Sequence, residues 1–158
     1  PITDGVPLVE PAILREVGCA MVRTLDLKDV DTIVVCEAMG IHIGVALSMM
    51  TDIPMVIVRK RSYNLPGEVA VHQTTGYSKG ELYLNGVSAG DRVVIIDDVC
   101  STGGTLRALI SAIEQVGAEI VDICIVVTRS DADIGRPYKT LVRIDVAEGR
   151  VRVVDTCI

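Results

Sequence analysis

The chain has 158 residues, 49% of them hydrophobic, with a mean hydropathy of +0.46, which is the length of one domain and ample material for its core. A net charge of −6 and a pI near 4.8 argue against a nucleic-acid groove, which needs clustered Lys and Arg. The five cysteines show no C-x-x-C spacing, so neither a zinc knuckle nor a disulfide framework is expected, and a soluble protein of the reducing cytoplasm is. Phe and Trp are absent, so the core must be aliphatic.

In chain order, Ile13, Val17, Ala20, Met21 and Leu25 recur at helical spacing behind Pro11, which predicts a first amphipathic helix. Thr32 to Cys36 reads as a buried strand, Gly40 to Met50 as a second helix and Met55 to Val58 as a second strand. From Glu68 to Asn85 alternation is weak and little asks to be buried, so 68–85 reads as a long functional loop. Val93 to Ile96 is a third strand. Leu106, Leu109, Ile110, Ile113 and Val116 predict a helix stopped by Gly117. Ile120 to Val127 is a fourth strand, and Leu141 to Val146 with Val151 to Val154 a hairpin turning at Glu148-Gly149. Strands alternating with helices predict an α/β fold, a mostly parallel twisted sheet with helices on both faces, which binds ligands at the carboxyl ends of its strands.

The stretch Val93-Val94-Ile95-Ile96-Asp97-Asp98-Val99-Cys100-Ser101-Thr102-Gly103-Gly104-Thr105 carries the most chemistry. A β-branched strand meets two adjacent carboxylates and then a hydroxyl- and glycine-rich turn opening a helix, which presents backbone amides to a phosphate. Carboxylates beside an anion site require a divalent cation or sugar hydroxyls between the like charges. A triphosphatase loop would need a lysine after its second glycine, and the dinucleotide G-x-G-x-x-G is absent. Asp and Ser as mere helix caps would need one such residue, not the series.

This stretch resembles the phosphoribosyl-diphosphate (PRPP) motif of the type I phosphoribosyltransferases. The resemblance implies that Asp97 and Asp98 bind the ribose hydroxyls, that Ser101, Thr102, Gly103, Gly104 and Thr105 wrap the 5′-phosphate, and that Mg²⁺ accompanies PRPP with Asp98 as its candidate protein contact. Glu37-Ala38-Met39-Gly40, a strand end meeting a helix, resembles the family's pyrophosphate loop, with Met39 in place of an arginine. Arg59 and Lys60, followed by Leu65-Pro66-Gly67-Glu68, resemble the basic pair and turn of the adenine phosphoribosyltransferases. Lys60 is the candidate for neutralising pyrophosphate, and Arg59 for the same task or for a neighbouring subunit's site.

The 68–85 region corresponds to the family's mobile catalytic flap, with Tyr77, Ser78 and Lys79 as its candidate residues; His72 reads as a solvated histidine before it reads as a base. The stretch from Leu65 to Glu81 together with Thr140 to Val146 looks like the archaeal hypoxanthine/guanine subfamily. The implied activity is transfer of ribose 5-phosphate from PRPP to a 6-oxopurine, with Asp97, Asp98 and Lys60 as catalytic residues, in a cytoplasmic homodimer. Adenine is the alternative base. The alternative from another class is a PRPP-sensing transcriptional regulator, against which the acidic chain counts. Because Pro1 is not an initiator methionine, residues 1–158 are expected to form one phosphoribosyltransferase domain that lacks some N-terminal residues.

Overall fold

Five strands run the same way in one sheet because the segments between them cross over its faces. The structure, a computed structural model, describes residues 2–74, 79–129 and 132–156. Its elements are α1 (Pro11–Thr24), β1 (Thr32–Cys36), α2 (Gly40–Thr51), β2 (Met55–Val58), β3 (Val69–Thr74), β4 (Lys79–Leu84), β5 (Arg92–Cys100), α3 (Gly104–Val116), β6 (Glu119–Arg129), β7 (Lys139–Ala147) and β8 (Arg150–Thr156). The main sheet has the order β2-β1-β5-β6-β7-β8, parallel except for the antiparallel β8 at one edge.

Alternate residues of the central strands supply two cores. Val34, Val93, Ile95, Ile123 and Ile125 point to the face covered by α3 and by the β3–β4 hairpin, whereas Ile33, Val35, Val94, Ile96 and Val126 point to the face covered by α1 and α2. These strands are therefore apolar at consecutive positions, as a sheet buried on both faces requires. Helix α3 buries Leu106, Leu109 and Ile113. It stops where Gly117, at φ +84, donates its N–H to Glu114 O at 3.1 Å while Ala118 N donates to Ile113 O at 3.2 Å.

Two expectations are corrected. The first concerns β3 and β4, which pair antiparallel from Val69 with Leu84 to Thr74 with Lys79, in a segment expected to be a loop with little to bury. Val71, Leu82 and Leu84 are buried in the α3-side core. The alternation is weak because the inward face of β3 spends one position on Gln73, which is itself buried. The second concerns β5, which continues through Asp97 to Cys100, paired with β6 as far as Cys100 with Thr128. Two carboxylates in series look like a strand end in sequence, but here the ladder runs past them.

Candidate active site

Strand order places the site. β1 lies between β2 and β5 in the sheet, so the turn after Cys36, the basic segment after Val58 and the carboxyl end of β5 meet along one edge. They enclose a cleft of about 230 Å³. It brings together Glu37, Ala38 and Met39 from the first turn, Lys60 from the second, and Asp97, Asp98, Ser101 and Thr105 from the third. Thr102, Gly103 and Gly104 line a smaller adjoining cup of about 40 Å³ with Ser101 and Thr105.

The cup is built for an anion. The residue that would cap α3 is Gly103, in left-handed conformation at φ +74, which offers no side-chain acceptor, and the first turn holds no acid. The N–H groups that begin any helix therefore lack a capping carboxylate or hydroxyl, and the helix dipole favours negative charge there. A side chain at Gly103 would be strained by its φ and would meet Ile134 Cγ2 at 2.8 Å. Arg107 braces the cup from outside, its guanidinium donating to Thr102 O at 2.9 Å and to Asp133 O at 2.5 Å.

Asp97 and Asp98 are 6% and 7% exposed, so both carboxylates line the cleft with little access to water. Asp98 N donates to Asp97 Oδ1 at 3.0 Å. Burial first, and the neighbouring charge of Asp98 second, hold Asp97 well above the usual carboxylate range, only partly offset by the hydrogen bond from the Asp98 backbone and then by the charge of Lys60. Burial also raises Asp98. The unliganded pair is short of positive charge, which is the condition for receiving donor hydroxyls or a cation. Gly40 lies directly behind it, where an added Cβ would stand 3.2 Å from Asp97 Oδ1. That glycine lets the start of α2 approach the acidic pair.

Glu37 and Arg59 make contacts that the sequence does not announce. Glu37 Oε1 accepts the backbone N–H of Lys60 at 2.5 Å, and its Oε2 lies 3.0 Å from Arg59 Nε. Both carboxylate oxygens thus tie down the basic segment, and Arg59 is held by its own chain outside the cleft residues. Arg59 N and O also exchange hydrogen bonds with Tyr83 of β4. Lys60, by contrast, is exposed and lines the cleft. The segment is closed by Leu65-Pro66-Gly67-Glu68, a turn in which Glu68 N donates to Leu65 O at 3.1 Å and Gly67 sits at φ +81. The Glu68 carboxylate then receives Ser62 Oγ, Tyr63 N and Asn85 Nδ2, bonds that hold it below the usual carboxylate range.

Tyr77 and Ser78 lie outside the described residues, as does the side chain of Lys79. His72 is 87% exposed and stands 3.7 Å from Glu81 on the outward face of the hairpin, away from the acidic pair. Besides Val99, which follows the acidic pair directly, two cleft residues escaped the sequence reading. Cys36 is the buried end of β1, its thiol pushed up to about 12 by burial and by Asp97, so it stays protonated. Gln73 donates from Nε2 to Thr105 Oγ1 at 2.5 Å; the inward positions Val69 and Val71 before it were the available signal.

Fold and cleft define an α/β protein that gathers two strand-to-helix turns and an acidic pair at the carboxyl ends of parallel strands. The chain belongs to the phosphoribosyltransferases: the phosphoribosyl transferase domain model matches residues 8–156. It is 72% identical over 155 residues to a hypoxanthine/guanine phosphoribosyltransferase of Methanosphaerula palustris, covering 98% of this chain and 85% of the relative. It is 60% identical over 156 residues to the protein of that name from Methanocorpusculum labreanum, covering 99% and 83%. Among solved structures it resembles the adenine phosphoribosyltransferase of Rhodothermus marinus, with a TM-score of 0.74 and 25% identity over 85% of this chain and 81% of that one.

Proposed function

We propose that this phosphoribosyltransferase joins the ribose 5-phosphate of PRPP to hypoxanthine or guanine, releasing pyrophosphate and forming IMP or GMP in purine salvage. The observation that carries the reading is the single cleft in which both turns, Lys60 and the acidic pair meet. The choice of 6-oxopurines is supported by relatives of that name at 72% and 60% identity. Ser101 to Thr105 receive the 5′-phosphate, Asp97 and Asp98 the ribose hydroxyls, and the backbone of Ala38 to Gly40 with Lys60 the pyrophosphate. Glu37 serves the last of these by holding Lys60 in place.

The base nitrogen attacks C1 as pyrophosphate leaves, so positive charge grows on the ribose and negative charge on the leaving group. Asp97 and Asp98 face the first and Lys60 the second. Such preorganised charges, together with alignment of the reactants, each supply several kcal/mol. Among the described residues no three His, Cys, Asp or Glu side chains group into a metal site of their own. An acidic pair short of counter-charge nonetheless suits Mg²⁺, which takes one or two carboxylates and completes its shell with water and substrate oxygens. Asp98 is the residue that would hold it, and the ion would neutralise charge on the pyrophosphate.

The reaction belongs to the cytoplasm, in keeping with Cys19, Cys36 and Cys100, which form no disulfide among the described residues, and to a homodimer. The test is an assay with PRPP and magnesium offering hypoxanthine, guanine, adenine, xanthine and orotate in parallel. Turnover of the 6-oxopurines is expected. Preference for adenine would keep the mechanism and overturn the substrate, and PRPP binding without turnover of any base would make the chain a PRPP-sensing regulator.

A further inference from the structure

We propose that Gln73 is a positioning residue for the 5′-phosphate of PRPP and acts through the hydroxyl of Thr105; this rests on the reading of Ser101 to Thr105 as the phosphate cup. The geometry is specific. Gln73 stands on β3, is 8% exposed, and lines the same cleft as Thr105 and the acidic pair. Its Nε2 donates to Thr105 Oγ1 at 2.5 Å.

A threonine hydroxyl has one proton to give and two lone pairs with which to accept. When the amide of Gln73 occupies a lone pair, the hydroxyl keeps its proton for an acceptor, and a phosphate oxygen is acceptor only. The amide also polarises the hydroxyl, which strengthens its donation. Without the amide, Thr105 Oγ1 is free to rotate and spend its proton elsewhere. Gln73 therefore sets the direction of one phosphate contact without touching the phosphate.

The reciprocal consequence is that the β3–β4 hairpin and the phosphate cup are joined by a hydrogen bond between two elements otherwise packed through apolar side chains. Val71 and Leu82 of the hairpin lie in the α3-side core, so replacing Gln73 leaves the packing that holds the hairpin in place.

The experiment measures binding of PRPP, ribose 5-phosphate and pyrophosphate to the intact chain by calorimetry, for wild type, Gln73→Leu, Thr105→Val and the double variant. Gln73→Leu is expected to weaken PRPP and ribose 5-phosphate about tenfold while leaving pyrophosphate unchanged. The double variant should bind no more weakly than Thr105→Val alone. If wild type itself does not bind ribose 5-phosphate, the cup reading fails and the proposal with it; if it does and Thr105→Val binds equally well, the cup stands and the hydroxyl on which the proposal rests makes no phosphate contact, which overturns the proposal. If Thr105→Val weakens binding but the two losses multiply in the double variant, the cup stands and the role of Gln73 is overturned.

Gln73→Glu gives an independent readout that a purely structural role would not move. A protonated carboxyl donates to Thr105 as the amide does, and a carboxylate takes the hydroxyl's proton instead. The titratable and charged groups that share the cleft with position 73 are Cys36, Glu37, Lys60, Asp97 and Asp98, and Arg107 of α3 and His72 line the pocket beside Val71 on the other side of the hairpin; all are common to the wild type and the variants, so the comparison is made as a ratio of affinities at each pH. The deficit should be largest at pH 8, shrink toward pH 5 and lose that pH dependence in a Thr105→Val background, where repulsion between the carboxylate and the phosphate alone would keep it; a ratio independent of pH, or one whose pH dependence survives in that background, overturns the proposal.

Discussion

Two adjacent buried carboxylates cost folding free energy unless a proton or a ligand relieves them. For Asp97 the sign is definite. Its folded-state pKa lies well above the ordinary 3.8, from burial and from Asp98, so the stability it contributes is fully present below the unfolded value and lost as pH rises through the folded one. Asparagine in its place keeps an acceptor for the Asp98 N–H and never ionises. Unliganded Asp97→Asn should therefore melt above wild type at pH 7, with the gap closing toward pH 4, while kcat/KM for PRPP falls roughly a hundredfold. Thermal melts across that range decide it, and a gap that does not vary with pH would falsify the buried-charge account. Cys36 beside this pair, with its thiol near 12, is no competing nucleophile, since the thiolate is the reactive form.

At the scale of elements, the approach of α2 to the sheet depends on Gly44. A Cβ there would stand 2.6 Å from Val35 Cγ1 and 2.9 Å from Met55 Cε. The methionine can give way, but Val35 is fixed in the second strand of the sheet. Gly44→Ala should cost about 1–3 kcal/mol in urea unfolding, whereas Gly80→Ala, with nothing within 4 Å, should stay within about 0.5 kcal/mol. Equal costs would show that α2 is not seated through that glycine. The elements themselves were legible where an amphipathic helical period shows, as in α1 and α3, or where a short apolar run lies between turn residues, as in β1, α2, β2, β6 and the β7–β8 hairpin. The β3–β4 hairpin was not, because a buried glutamine interrupts the apolar face that would have announced it. The carboxyl end of β5 was hidden for a related reason: Asp97 and Asp98 are strand residues in the ladder and turn residues by composition. The cleft was legible where a backbone motif makes it, at Ser101 to Thr105 and at Ala38 to Gly40. It was not legible where pairing across the sheet decides, since no local pattern tells Glu37 to hold Arg59 and Lys60 or Gln73 to reach Thr105.

For the whole molecule, the face made by α1 and α2 is the unsettled surface. Met49 is 79% exposed, and Val45, Met50, Ile13 and Val22 are each 40–43% exposed on the same two helices. Between the helices runs an apolar groove of about 860 Å³, lined by Leu14, Ile41, Val45 and Met49 among others. An exposed apolar groove of this size marks an interaction surface. A second copy of the chain is the occupant that the proposed homodimer would put there, since a twofold axis brings the same patch of both copies together. The groove also includes Ala38, a residue of the catalytic cleft, so a docked copy would stand against the back of the pyrophosphate turn. The expected state in sedimentation velocity is a dimer at micromolar concentration. Met49→Glu puts a charge into the contact and should shift the protein to monomer, with the helical circular dichroism unchanged and activity lowered, because the turn from Glu37 to Gly40 loses its support. A wild-type monomer, or a Met49→Glu dimer as tight as wild type, would assign the groove to something other than a second copy.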